Sequence, residues 1–202
     1  IDSKGEKITM DLSRFGKSAV FSLLISLFVM GWSGAPSFGQ AVPEGKLPVV
    51  ITSCGQSPDA FLVKVLCGRA KLKVSYNALL KADTLKDFKS LMVGMGGSAK
   101  GLGEAGIDEK EELERVKNVL AKAKEQKTQI FGLHVGGEAR RGPLSAKFVE
   151  LASPRSDYLI VTEDGNKDGY FTNLSKDKKI PLMVIKDTKE LGELLKKIFG
   201  AK

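Results

Sequence analysis

Short apolar runs alternate with longer amphipathic segments along most of this chain. The runs predict six strands, at residues 47–52, 71–80, 90–93, 129–135, 157–162 and 181–185. The segments between them predict helices at 58–67, 108–126, 143–152 and 188–199, with shorter helical turns at 84–89 and 171–178. Because strand and helix alternate throughout, the pattern predicts an α/β fold: a three-layer, doubly wound, mostly parallel sheet of about six strands, Rossmann-like or flavodoxin-like.

Apolar residues at helical spacing predict which face of each helix is buried. We expect the inward residues of three helices to be Phe61, Leu62, Val65 and Leu66; Leu113, Val116, Leu120 and Ala123; and Leu191, Leu194, Leu195, Ile198 and Phe199.

The positions of the polar loops favour one strand order. Loops rich in glycine and functional side chains follow strands one, three, four and five, whereas the loop after strand two is plain. In doubly wound sheets, ligands bind beyond the carboxyl ends of the strands where the strand order reverses. The order 2-1-3-4-5-6 places the rich loops side by side, so we prefer it to 3-2-1-4-5-6.

The N-terminal 41 residues have the pattern of a processed leader. Met10 begins a segment with Arg14 and Lys17, residues 19–32 are apolar over the length of a signal core, and small residues permit cleavage after Gly39 or Ala41. We therefore expect residues 1–41 to be a leader and signal peptide and residues 42–202 to be a single α/β domain. The protein is expected to be exported to the periplasm or beyond, with no stable membrane span after cleavage.

The formal net charge of +8 is spread along helices of mixed charge. No basic run is interleaved with aromatic residues, so we expect no nucleic-acid partner. Two cysteines, Cys54 and Cys67, remain in the exported part. They flank a predicted helix and are too far apart for a disulfide, so we expect none, with Cys67 a buried apolar residue.

The loop after strand one offers hydroxyl and amide groups at a helix N-terminus, where negative charge is favoured. Its candidate ligand-binding residues are Ser53, Cys54, Gly55, Gln56 and Ser57. Cys54 is also a candidate nucleophile, because a helix N-terminus lowers the pKa of a thiol.

The loop after strand three has six glycines among residues 94–106. It contains neither GxxxxGK[ST] nor a GxGxxG directly after the first strand, so neither nucleotide motif is supported. We expect an open loop in which Gly96, Gly97, Ser98 and Lys100 contact a ligand.

Residues 134–142 are the densest group of functional side chains. His134, the only histidine, ends strand four, and a loop with two arginines follows it. Arginine binds carboxylate or phosphate through a planar fork, and His134 paired with Glu138 or Cys54 would be a general acid or base. The candidates here are His134, Gly136, Gly137, Glu138, Arg140 and Arg141.

Residues 164–169 match the opening of a calcium loop, with Asp164, Asn166 and Asp168 as the candidate ligands. Position twelve is Ser175 instead of a bidentate glutamate. The alternative is a polar turn in which Asn166 or Lys167 touches the ligand. We predict no cofactor, with Ca²⁺ as the alternative.

Three segments, at 96–108, 134–142 and 165–169, resemble a family of uncharacterised exported bacterial proteins. The similarity covers most of the chain after the leader. It implies an α/β fold and brings no activity with it.

Three functions follow from these features. The first is an extracytoplasmic binding module for a small polar or anionic ligand, serving a membrane transporter or an envelope protein. The second is a secreted hydrolase or transferase centred on His134 and Glu138, although GxSxG is absent. The third is an envelope module that binds proteins through the same loops.

Overall fold

A computed structural model describes residues 42–200, so the predicted leader and signal peptide, with Met10 and both cleavage sites, lie outside the described residues. The chain forms one six-stranded sheet in which every neighbouring pair is parallel. Its strands are β1 (Val49–Cys54), β2 (Val74–Tyr76), β3 (Ser90–Met95), β4 (Gln129–His134), β5 (Tyr158–Thr162) and β6 (Leu182–Ile185). Their order is β2-β1-β3-β4-β5-β6. This confirms the predicted fold class and strand order.

Within residues 42–200, six α-helices cover the two faces of the sheet; five lie between strands and the sixth follows the last strand. They are α1 (Asp59–Arg69), α2 (Ala99–Glu104), α3 (Glu109–Glu125), α4 (Pro143–Ala152), α5 (Tyr170–Lys178) and α6 (Thr188–Phe199). The predicted turn at 84–89 is a 3₁₀ segment, Ala82–Leu85. Within residues 42–200, none of the helices combines the length and the apolar character that a membrane crossing requires.

Two hydrophobic clusters, one on each face of the sheet, form the core. Helices α3, α4 and α5 contribute to the first cluster, and α1 and α6 contribute to the second. Cys54 belongs to the first cluster and Cys67 to the second, and both thiols are buried and free. The predicted inward face of α6 is confirmed, with Leu194 partly buried and its other four residues buried.

The predicted face of α1 is wrong in one respect. Phe61 is 50% exposed, whereas Ala60, Val63 and Cys67 are fully buried. The apolar residues of this helix are distributed around its whole circumference, so their spacing does not select a buried face. The small side chain of Ala60 faces the sheet, and the larger Phe61 lies outside against Tyr76.

The second predicted strand is much shorter than residues 71–80. Lys71, with φ of 59°, ends the preceding helix, and Leu72 donates to the Cys67 carbonyl. Asn77 starts a turn, because its side chain accepts a hydrogen bond from Leu79 N at 3.0 Å. Only three residues are left to pair with β1.

The glycine-rich segment 94–106 is not the open loop that we expected. Strand β3 continues to Met95, and residues 99–104 form α2, capped by Ser98, whose Oγ accepts from Gly101 N at 3.0 Å. A Cβ at Gly101 would overlap the carbonyl oxygen of Gln56. Glycine therefore serves close packing of α2 on the loop after β1 instead of a flexible turn.

Candidate functional site

The loops that follow β1 and β3 are joined to each other at the carboxyl edge of the sheet. Gln56 and Gly97 form an isolated antiparallel bridge, in which Ser57 N donates to Gly96 O at 3.2 Å and Ser98 N donates to Gly55 O at 2.9 Å. Gln56 has φ of 55°, a conformation in which side chains other than glycine are uncommon. The two loops are thus one rigid rim.

A cleft of about 570 Å³ opens beside this rim. Arg140, from the loop after β4, and Lys100, on α2, are its two cations, and Glu104 is its one acid. Lys100 lies 3.6 Å from Glu104, and both side chains are exposed. The lining residues are Gln56, Ser57, Pro58, Tyr76, Ala78, Leu79, Ser98, Lys100, Gly101, Glu104, Ala105 and Arg140.

Asp59, the first residue of α1, is a buried carboxylate next to this cleft. It is 5% exposed, and its Oδ2 has no hydrogen-bond partner within residues 42–200. A Cβ at Gly136 would lie 2.6 Å from Oδ2, and one at Gly96 would lie 2.9 Å from it, so both glycines make room for the carboxylate. Burial raises the pKa of Asp59, while the Ser57 hydroxyl and the charges of Arg140 and His134 act to lower it.

The loop after β1 is supported from below by a buried ion pair within α3. Glu112 is fully buried and receives two hydrogen bonds from Arg115, at 2.7 and 2.8 Å. Its Oε1 also accepts from Gly55 N at 2.9 Å and from Gln56 Nε2 at 3.0 Å. Arg115 in turn donates to the backbone carbonyls of Ser53 and Leu80. This pair fixes the Gln56 side chain at the cleft.

Arg141, the neighbour of Arg140, lies in a different environment. Its guanidinium carbon is 5.1 Å from the ring centroids of both Tyr170 and Phe171, and it donates to Asp168 Oδ2 at 2.5 Å. Burial alone would raise the pKa of Asp168, but the hydrogen bond from Arg141 holds this pKa below its ordinary value. Arg141 thus joins the loop after β4 to the segment after β5 and does not line the cleft.

The three catalytic candidates lie at separate places. His134 is fully buried, its ring is stacked 5.3 Å from Phe171, and its Nδ1 is 2.9 Å from the Met95 carbonyl oxygen. Its Nε2 is buried and has no hydrogen-bond partner among the described residues, and burial lowers the pKa of the imidazole. The Cys54 thiol donates to Phe148 O at 3.4 Å, and burial raises its pKa, which is the opposite of an activated thiolate. Glu138 is exposed and pairs with Lys167 at 2.7 Å.

The side chains of the calcium-like segment after β5 are hydrogen-bonded to neighbouring groups of the protein. Asn166 Oδ1 accepts from Phe171 N at 3.0 Å and Asn166 Nδ2 donates to Thr172 Oγ1 at 2.7 Å, and both partners lie in the first turn of α5. Asp168 faces Arg141, and the pKa of Asp164 is lowered chiefly by a hydrogen bond from Thr162. In the part of the chain that the structure describes, no three His, Cys, Asp or Glu side chains are grouped to hold a metal.

Five of the predicted ligand-binding residues line the cleft: Gln56, Ser57, Ser98, Lys100 and Arg140. Ser53, Cys54, His134 and Gly137 are buried in the surrounding rim, where Ser53 Oγ has no partner among the described residues. Asn166, Lys167, Glu138 and Arg141 make contacts on the β5 side.

Sequence reasoning missed Asp59, Glu112, Arg115 and Tyr76. An acid in the first turn of a helix is ordinary, and Glu112 lies in a run of alternating charge that suggests a solvated face. One signal was available for Glu112. It lies four residues before Val116 and eight before Leu120, on the apolar face of the helix.

Comparison with known families gives one match, to the family described as "Domain of unknown function (DUF6305)", over residues 46–199. A comparison with curated proteins gives no match. Among solved structures, the chain is similar to the psychrotrophic esterase EstA from Pseudoalteromonas sp., at 10% identity and a TM-score of 0.32, covering 74% of this chain and 95% of that one. It is also similar to AlinE4, an esterase of the SGNH-hydrolase family, at 11% identity and a TM-score of 0.30, covering 70% and 77%. Both likenesses are distant, so the site is interpreted from this chain's own residues.

Proposed function

This chain belongs to the DUF6305 family, and from the geometry of its site we propose that it is a binding module for a small polar or anionic ligand. The ligand is held in the cleft at the carboxyl ends of β1, β3 and β4. Export, which the leader pattern suggests, would place this module outside the cytoplasm, where a transporter or an envelope protein could receive its ligand.

The environment of the Arg140 side chain is the strongest support for the proposal. Arg140 lines the cleft, and its guanidinium makes no hydrogen bond or ion pair within residues 42–200, while its neighbour Arg141 bonds to Asp168 and packs on two aromatic rings. The nearby Asp59 carboxylate interacts with it through its charge only. An arginine held at a cleft without a partner is suited to a bidentate contact with carboxylate or phosphate.

The rigidity of the rim supports the same proposal. The Gln56–Gly97 bridge and the Glu112–Arg115 pair fix one side of the cleft, and Arg141 fixes the loop that carries Arg140. A site that is ordered before binding loses less conformational entropy when the ligand enters. A volume of about 570 Å³ also lies in the range of small-molecule sites.

Isothermal titration of the full chain against organic acids, phosphates and amino acids tests this function. We expect at least one anion to bind and Arg140→Ala to weaken it at least tenfold, because the direct contact to a charged group is lost. Arg69→Ala is the matched control, since it removes the same charge from an exposed arginine outside the cleft. No binding across the panel, or equal losses in both variants, would refute the proposal.

A further inference from the structure

The cleft is lined by both cationic and apolar residues. Arg140 and Lys100 supply the positive charge. The apolar lining residues are Tyr76, Pro58, Ala78, Leu79 and Ala105. Inorganic phosphate would contact the cations and leave the apolar residues exposed to water, so burial of their apolar surface would add nothing to its binding.

Tyr76 has the largest side chain among these apolar lining residues. It lies at the end of the edge strand β2 and is 36% exposed. Its ring is packed edge-to-face against Phe61, with centroids 5.8 Å apart, and Lys64 Nζ lies 5.3 Å from the Phe61 centroid. The ring is thus held in place from outside the cleft. A fixed aromatic ring at a cleft wall favours a flat apolar group, which it can stack upon or meet with its edge.

The charges indicate how many anionic groups the ligand carries. Lys100 is partly balanced by Glu104 at 3.6 Å, which leaves Arg140 as the cation that makes no hydrogen bond or ion pair in the described part of the chain, with only the charge of the Asp59 carboxylate opposing its own. A single cation without an ion pair favours at most one anionic group, since each further anionic group would be desolvated without a counter-charge.

We propose that the ligand is a small organic monoanion with a planar apolar body, the class of aromatic carboxylates. Its carboxylate is bound by Arg140, and its ring lies against Tyr76. This inference rests on the proposed function and specifies the ligand class of the same cleft.

Four probes and the full chain separate this inference from the proposed function. Benzoate has both features, acetate and inorganic phosphate carry charge without the ring, and benzamide carries the ring without charge. By isothermal titration, we expect benzoate to bind at least tenfold more tightly than the other three. Tyr76→Ala should weaken benzoate about fivefold or more and leave acetate unchanged, whereas Tyr76→Phe should retain benzoate, because the ring and not the hydroxyl makes the contact.

Two outcomes would overturn the inference while the binding function stands. One is acetate or phosphate binding through Arg140 as tightly as benzoate, and the other is benzoate affinity that Tyr76→Ala does not change. Benzamide binding as tightly as benzoate would remove the anionic part of the inference. If no probe binds and Arg140→Ala changes nothing, the proposed function itself fails for this ligand class.

Discussion

Two adjacent arginines divide the carboxyl edge of the sheet into an open side and a locked side. Arg140 lines the cleft beside the joined loops after β1 and β3, and its side chain makes no hydrogen bond with any of residues 42–200. Arg141 is packed on Tyr170 and Phe171, bonded to Asp168, and its side chain is 16% exposed. The same residue type therefore presents a charge without an ion pair to the cleft at one position and joins two segments of the chain at the next.

The difference shows how a loop can be rigid and still present a free charge. The locked side fixes the loop after β4 through Arg141, so Arg140 does not need a partner of its own to be held near the cleft. On the open side, the Glu112–Arg115 pair fixes Gln56 in the same way, because Glu112 accepts a hydrogen bond from the Gln56 side chain. Single substitutions can remove these supports one at a time.

Glu112→Gln should have the largest effect, because it breaks the pair beneath the open side. Glu112 is fully buried and the Arg115 side chain is 14% exposed, so the substitution leaves a nearly buried cation without its counter-charge. We expect a loss of about 3–5 kcal/mol in the free energy of unfolding, measured by urea denaturation. Glu114→Gln is the control, since its pair with Lys117 is exposed at 61% and 62%, and it should change stability by less than about 0.5 kcal/mol. Equal losses in the two variants would contradict this role for Glu112.

Arg141→Ala should destabilise the protein by about 1–2 kcal/mol, because it removes one hydrogen-bonded pair and two ring contacts. Arg140→Ala should cost less than about 0.5 kcal/mol, since the described residues offer its side chain no bond to lose. Thermal unfolding of the two variants provides the measurement. Arg141→Lys should not restore stability fully, because an ammonium lacks the planar face that stacks on the rings. A reversal of the order of the two alanine variants would refute the division of the edge.

Much of the fold follows from the sequence, and the reasons are physical. Six buried apolar runs separated by helices permit few topologies, and the positions of the polar loops select the order 2-1-3-4-5-6. The same reasoning brings Gln56, Ser57, Ser98, Lys100 and Arg140 to one cleft, because parallel strands bring their loops to one edge, and ligand binding by these residues stays a prediction. The spacing of residues within a single loop or helix says less about the role of each side chain at the site.

The roles of Arg140 and Arg141 could not be separated from the sequence, because adjacent residues in a loop have no periodicity that assigns them to opposite sides. Asp59 and Glu112 were missed for another reason. A charge on a helix is normally solvated, and only the fold shows that Gly96 and Gly136 leave room for the Asp59 carboxylate.

Asp59→Asn should stabilise the protein by about 1 kcal/mol near neutral pH, because a buried carboxylate without a partner on Oδ2 is replaced by a neutral group of the same shape. Burial raises the pKa of Asp59 in the folded protein above the ordinary value of 3.8. Between pH 3.8 and this raised pKa, the folded state therefore holds more protons than the unfolded state. Stability of the wild-type protein therefore falls as the pH rises from about 3.8 through the folded pKa. The advantage of Asp59→Asn should be absent below this window and complete above it, as measured by urea midpoints at a series of pH values. An advantage that does not change with pH would show that ionisation of Asp59 is not its cause.

Lys167→Ala should have the smallest effect. It tests whether the exposed pair of Lys167 and Glu138 helps Arg141 to hold the loop after β4 against the segment after β5. Lys167 and Glu138 join the same two segments as Arg141 and Asp168, at a distance of 2.7 Å, but their side chains are 63% and 68% exposed. Water and salt screen such a pair, and ordering two long side chains offsets its attraction. We expect the thermal midpoint and the benzoate affinity of Lys167→Ala to match those of the wild-type protein at both low and high salt. If Lys167→Ala instead lowers the midpoint as much as Arg141→Ala, and added salt lowers that of the wild-type protein equally, then surface charge holds the two segments together. The ring contacts of Arg141 would then be incidental, and the contrast between the two arginines would rest on ligand binding alone.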